Sequence, residues 1–174
     1  MVNVPRCYKP TAFKELKSIE LHHFADASTE GYGMASYLRL TDFDDNIHCT
    51  LVMGKSRVAP LKTVTVPRLE LTAAVLAVKV DKQIRKELQL PLSRVVFWTD
   101  STVVLHYLGN TSSRFQTFAA NRLEVIHDNT TPSQWRHVPT NMNPADLASR
   151  RIHDMMSGRG WLQVQQWFKG PQFL

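Results

Sequence analysis

The period of the apolar positions changes several times along this chain, and each change marks an element. Ile19, Leu21 and His23 alternate with Glu20, His22 and Phe24 up to Ala25, the period of two that predicts a strand. That run stops at Asp26 and a Ser-Thr-Glu-Gly turn. Residues 33–40 and 47–56 predict two further strands around the polar cluster Asp42, Asp44, Asp45 and Asn46, a hairpin-loop composition, so the three strands form an antiparallel meander. At Pro67 the period lengthens. Leu69, Ala73, Leu76, Val80, Ile84 and Leu88 recur at helical spacing, with Pro67 in the first turn, where a helix tolerates it. A second stripe of Leu71, Val75 and Val78 predicts burial over much of the circumference, and Pro91 closes the segment. Residues 94–99, RVVFWT, are dense in β-branched and aromatic side chains, as in an interior strand covered on both faces. Asp100-Ser101 follows as a strand-to-helix junction. A short helix to Gly109, a further helix over 115–126, a strand over 134–138 and a helix start over 144–149 complete the pattern.

This order implies an α/β domain with a mixed five-stranded sheet. Its first three strands form the antiparallel meander, strands 4 and 5 run parallel across helical crossovers, and helices flank it. Such a sheet binds ligands at the carboxyl ends of its strands, where Asp26 and Asp100 both fall. Residues 1–18, with Pro5 and Pro10 and no clean period, predict a lead-in or linker from a preceding domain. Residues 19–152 form the domain, and 153–174 form a C-terminal extension that packs on it or leads to a following domain. No internal repeat or low-complexity stretch interrupts the pattern.

Composition adds bounds. A length of 174 residues, 43% of them hydrophobic, suits one domain with a sizeable core. No apolar run approaches the roughly 20 residues of a membrane helix, and MVNVPRCYKP lacks the apolar stretch of a signal peptide. The expectation is an intracellular protein, cytoplasmic or within a virus-like particle, with no membrane partner. The cysteines, Cys7 and Cys49, have neither disulfide-framework nor zinc spacing. A net charge of +6 and a pI near 9.5 favour a polyanionic partner, although the basic residues are scattered.

Against this background four acids stand at element junctions: Asp26 in FADAS, Glu70 in PRLELTA, Asp100 in FWTDS and Asp146 in NPADLASR. Two carboxylates about 5 Å apart repel by roughly 3 kcal/mol at an effective dielectric of about 20, so a cation must offset the cluster. Oxygen donors without His or Cys suit a hard ion such as Mg²⁺ or Mn²⁺. Two such ions can activate water and stabilise the leaving oxygen of an in-line phosphodiester displacement. Taken singly, each acid could be a helix cap or turn residue; only the set argues for chemistry.

The blocks FADAS (24–28), SRVAPLKTVTVPRLELTAA (56–74), FWTDSTVVL (97–105), WRHVPTNMNPADLASR (135–150) and WFKGPQFL (167–174) resemble the ribonuclease H domain of Pao/BEL-type long-terminal-repeat retrotransposon polyproteins. The resemblance implies the ribonuclease H-like fold and hydrolysis of the RNA strand of RNA–DNA hybrids to a 3′-hydroxyl and a 5′-phosphate. It further implies two Mg²⁺ ions, with Mn²⁺ a substitute. Asp26 would bridge both ions, Glu70 and Asp100 would complete the leaving-group side, and Asp146 the water side. A reverse transcriptase upstream and an integrase downstream are the implied partners. Ser28 and Ser101 are candidate contacts to RNA 2′-hydroxyls, and Arg114, Arg122 and Arg136 candidate phosphate contacts.

Two departures bear on activity. Cellular members carry a loop His before the last Asp, whereas residues 138–146 contain none; His137 and Asn143 are the auxiliary candidates, His137 with a structural role favoured. The short passage 109–114 leaves no room for the extra helix and basic loop with which some cellular enzymes grip the hybrid. The alternative is therefore a catalytically silent nucleic-acid-binding or connecting module of a decayed or domesticated element. An integrase or transposase core is disfavoured, because the acids run Asp, Glu, Asp, Asp.

Overall fold

The computed structural model describes residues 7–13, 15–110, 115–150 and 166–174. Five strands, β1 (Leu16–Ala27), β2 (Gly31–Asp42), β3 (Ile47–Val58), β4 (Arg94–Thr99) and β5 (Trp135–His137), form one sheet in the order β3-β2-β1-β4-β5. Pairing is antiparallel among β1, β2 and β3, and parallel between β1 and β4 and between β4 and β5. The helices are α1 (Val66–Leu88), α2 (Thr102–Gly109), α3 (Thr117–His127) and the single turn α4 (Asp146–Ser149). This is the mixed α/β sheet that the sequence pattern predicts. Several strand and helix limits shift by one to three residues, and β1 begins at Leu16, ahead of the alternation that starts at Ile19, because a register shift between Leu16 and Ser18 breaks the period of two there.

Strand parity divides the core into two layers. Ile19, Leu21 and Ala25 of β1 face α1 and join Leu69, Leu71, Ala73, Ala74, Val78, Val80 and Ile84 in the main core, with Phe97, Leu123 and Ile126 alongside. Each fully buried Leu, Ile or Val there contributes about 1.5–3 kcal/mol, which holds α1 rigidly against the sheet. On the opposite face Phe24, Ala35, Tyr37, Val138 and Ala145 form a second layer, covered by Trp98, Trp167 and Leu174. Phe24 stacks on Trp98 at 5.9 Å, and Phe173 meets both rings edge-on. The Tyr37 hydroxyl donates to the Trp167 carbonyl at 2.7 Å, and Trp167 Nε1 donates to the Pro144 carbonyl at 3.0 Å. Residues 166–174 thus lie across the second face, against the segment that leads into α4.

Candidate active site

Because β1 and β4 are parallel neighbours, with Ala25 beside Thr99, Asp26 and Asp100 leave the sheet side by side at its carboxyl end. Glu70 stands in the second turn of α1 and Asp146 is the first residue of α4. The acids sense one another. Burial pushes the Asp26 carboxyl up to about 6; the Ser149 hydroxyl opposes the rise, the charges of Asp100 and Asp146 add to it, and the Ala27 backbone N–H opposes it more weakly. Burial and the Asp100 charge likewise raise the Glu70 carboxyl, and its hydrogen bond from Ser101 opposes the rise. All four sequence-predicted acids therefore meet at one end of the sheet.

α4 is too short to hold itself in place, so the sheet positions Asp146. Gly33 of β2 leaves room for it: a Cβ on Gly33 would stand 2.7 Å from both the Cβ and the carbonyl oxygen of Ala148. Two hydroxyls cap its trailing carbonyls at 2.6 Å, Ser28 donating to Ser149 O and Ser56 to Ala148 O. At the leading end the buried Asn143 amide ties three elements together. Its Nδ2 donates to the Ala25 carbonyl at 3.1 Å and reaches Asp100 Oδ1 at 3.4 Å, while its Oδ1 accepts from the Ala145 N–H at 3.1 Å.

Three of the acids have a hydrogen-bond donor from their own chain, and the fourth has an ion-pair partner. The Ser149 hydroxyl donates to Asp26 Oδ2, the Ser101 hydroxyl to Glu70 Oε2 at 2.7 Å, and Asn143 Nδ2 faces Asp100. Arg150 Nε lies 2.7 Å from Asp146 Oδ1, but it is not aligned for a hydrogen bond, so that buried oxygen has an ion-pair neighbour and no donor. With the carboxylates turned onto these partners, the described residues contain no group of three or more His, Cys, Asp or Glu side chains gathered closely enough to hold an ion as they stand. The donor set nonetheless fits a hard divalent cation: it is all oxygen, it is mutually repulsive, and Asp146 Oδ1 lacks a donor.

The remaining sequence candidates fall in three groups. Ser28 and Ser101 are occupied locally: the Ser28 hydroxyl also accepts from Glu30 N and Gly31 N, and the Ser101 hydroxyl caps α2 by accepting from Val104 N at 3.2 Å. Arg136 is exposed and donates to the Ser133 and Trp135 carbonyls. His137 is exposed on β5 beside Thr99, the residue before Asp100. Arg114 lies outside the described residues. Arg122 is held in place, with its guanidinium 3.5 Å from the Phe118 ring centre and its Nε donating to Thr72 Oγ1 at 3.1 Å. Arg68, which the sequence pattern did not single out, lies 5.0 Å from the same ring and donates to Gln116. Neither guanidinium forms an ion pair with a carboxylate among the described residues, so two ordered cations stand together, Arg68 within a turn of Glu70 on α1 and Arg122 of α3 held on Thr72.

A second polar cluster lies on the α1 face of the sheet. His23 is fully buried, its Nδ1 2.7 Å from Ser36 Oγ and its Nε2 3.0 Å from Asp81 Oδ1, and Arg85 pairs with Asp81 Oδ2 at 2.7 Å. Burial pushes the His23 imidazole down despite Asp81. With the Ser36 hydroxyl at 0% exposure, this Ser-His-Asp arrangement cannot meet a substrate, and it serves to fasten α1 to β1 and β2.

The family model of the Pao retrotransposon-like RNaseH-like domain matches residues 1–101. Solved structures similar to this chain include ribonuclease H1 of the archaeon Halobacterium salinarum, 15% identical over 75% of this chain and 93% of that one, with a TM-score of 0.47. The N-terminal ribonuclease H domain of a Mycobacterium tuberculosis protein is 13% identical over 76% and 91%, with a TM-score of 0.48. A ribonuclease H1 isolated from compost, crystallised with an RNA/DNA hybrid, is 15% identical over 75% and 93%, with a TM-score of 0.45. No curated protein matches. With more than half its length matched by the family model, the chain belongs to the Pao retrotransposon-like RNaseH-like domain family.

Proposed function

We propose that this domain is an endonuclease that hydrolyses the RNA strand of RNA–DNA hybrids during reverse transcription of a retroelement, joined to a reverse transcriptase upstream and an integrase downstream. Asp26, Glu70, Asp100 and Asp146 are its catalytic residues and would hold two Mg²⁺ ions, or Mn²⁺ in their place. Bound there, such ions supply an activated water and charge stabilisation of the leaving 3′-oxygen. The observation that carries the proposal is the Asp26 carboxyl, held up to about 6 by burial and by the charges of Asp100 and Asp146 at the carboxyl end of the sheet. A fold gains nothing from gathering like charges unless a cation completes them.

The chain's own residues support this role. Asn143 and the Gly33 and Ser56 contacts position α4, so Asp146 is presented at a fixed distance from the β1 and β4 ends. The Arg68 and Arg122 guanidiniums, braced on Phe118, offer cationic groups for a backbone phosphate beside Glu70. Ser28, Ser101, Arg114, Arg136, His137 and Asn143 remain candidate nucleic-acid or auxiliary contacts. Residues 1–18 are proposed as the linker, 19–152 as the catalytic domain and 153–174 as the extension.

A second reading, a silent hybrid-binding or connecting module, is favoured by one observation: own-chain donors already engage Asp26, Glu70 and Asp100, and Arg150 pairs with Asp146. Cleavage of a labelled RNA–DNA hybrid with Mg²⁺ or Mn²⁺ separates the two. The proposal expects cutting of the RNA strand by the wild type and none by Asp26→Asn. Hybrid binding without cleavage by either protein refutes it in favour of the silent module.

A further inference from the structure

Arg150 differs from the other donors in the acid cluster. Ser149, Ser101 and Asn143 are neutral and buried, whereas Arg150 carries a full positive charge on a side chain 58% exposed to solvent. It occupies Asp146 Oδ1, the one buried side-chain oxygen among the described residues that receives no hydrogen bond. A guanidinium beside an oxygen without a donor, on an arm free to swing into solvent, is an exchangeable counter-ion. The neutral hydroxyls could share a carboxylate with an ion by using its second oxygen; the cation cannot, because it repels any ion that arrives.

We propose that Arg150 is a built-in competitor of the divalent cation at Asp146, which must release the carboxylate for the ion to bind and is then free to meet a phosphate of the bound strand. This rests on the reading of Asp26, Glu70, Asp100 and Asp146 as an ion-holding set. The competition tunes affinity. A unit charge about 6 Å from a divalent ion alters its affinity about tenfold at the dielectric of water, and salt reduces that to about threefold to tenfold. Because Arg150 is exposed and contributes only an ion pair within one turn, its removal leaves the fold intact.

The test is calorimetric titration of MgCl₂ into the full chain, without nucleic acid, for wild type, Arg150→Gln, Arg150→Lys, Asp146→Asn and the Arg150→Gln/Asp146→Asn double variant. The proposal expects Arg150→Gln to bind Mg²⁺ about threefold to tenfold more tightly, Arg150→Lys to return toward wild type, and the gain to vanish when Asp146 is Asn. Uptake by the variant where the wild type shows none also supports it. Unchanged or weaker binding by Arg150→Gln, or a gain that persists in the double variant, overturns the Arg150 role while leaving the ion-holding set standing. No uptake by any protein overturns both.

Discussion

The acid cluster should weaken the fold that carries it, and Asp26→Asn measures by how much. The Asp26 carboxyl, ordinarily near 3.8, is held at about 6 in the native state, chiefly by burial and then by Asp100 and Asp146. Below pH 3.8 both folded and unfolded chains carry it protonated and the shift has no effect. As pH rises from 3.8 through about 6, the unfolded chain releases its proton more readily than the native one, and native stability falls. At pH 7 and above the full cost is present: about 2 units at 1.36 kcal/mol each, or about 3 kcal/mol as an upper bound. Asparagine removes the charge, keeps an oxygen to accept from Ser149, and differs little in volume.

Thermal unfolding in chelator at pH 8 should therefore show Asp26→Asn melting above the wild type, by about 6–12 °C if the whole cost is recovered, since 1 kcal/mol moves a chain of this size about 2–4 °C. At pH 4 the two proteins should melt together. Saturating Mg²⁺ at pH 8 should narrow the gap, because an ion that binds the native acid set stabilises the wild type by mass action and Asp26→Asn much less. A variant no more stable than wild type at pH 8, or equally more stable at pH 4, refutes the claim that the Asp26 charge is held in the fold against burial and its acidic neighbours.

Other substitutions probe the supports. Gly33→Ala forces α4 away from β2 and should lower hybrid cleavage more than tenfold while costing about 1–3 kcal/mol of stability, read by steady-state kinetics and urea unfolding of the same sample. Asp81→Asn breaks the buried pair to His23 and Arg85 and should cost about 3–5 kcal/mol, with cleavage per folded molecule unchanged below the melting range. Arg68→Ala and Arg122→Ala should each reduce the slope of log affinity for the hybrid against log salt by about 1, measured by fluorescence anisotropy; an unchanged slope removes them from the phosphate contacts. Acid should also destabilise the native state through His22, pushed down to about 4 mainly by burial. The unfolded chain takes up that proton near pH 6.5, so stability falls between about 6.5 and 4, and replacing His22 with Gln should flatten that part of the profile.

How much of this was legible in the sequence depends on what kind of interaction specifies each feature. Periodicity arises from burial of one face, so the α1 stripes, the RVVFWT strand and the meander could be read directly and sit within a few residues of their predicted limits. Where the backbone departs from regular pairing the signal fails, as at the Leu16/Ser18 shift that hides the start of β1. The four acids were legible because each ends or begins an element. Their supports were not. Ser149 reaches Asp26 across 123 positions, Ser56 reaches Ala148 across 92, and Arg122 reaches Thr72 across 50, and polar pairs at such separations leave no periodic trace. Ser28 and Ser101 illustrate the converse: as isolated hydroxyls beside catalytic acids they suggest substrate contacts, whereas in the fold they cap carbonyls and N–H groups left open by short helices and turns.

β1 shows why burial alone does not identify a functional acid. Asp26 and Asp81 are both nearly inaccessible, at 5% and 1%, and both bear on β1: Asp26 belongs to it, and Asp81 of α1 packs against it through His23. Asp81 is enclosed by groups that complement it: the His23 imidazole on one oxygen, Arg85 on the other, and apolar α1 neighbours around them. Asp26 faces Asp100 and Asp146 and receives only neutral donors, the Ser149 hydroxyl and the Ala27 backbone N–H. Replacing the first removes a structural pair and should destabilise; replacing the second relieves repulsion and should stabilise. Opposite signs from two buried aspartates 55 positions apart would show that what surrounds a buried carboxylate, complementary partners for Asp81 and further acids for Asp26, decides whether its charge supports or weakens the fold.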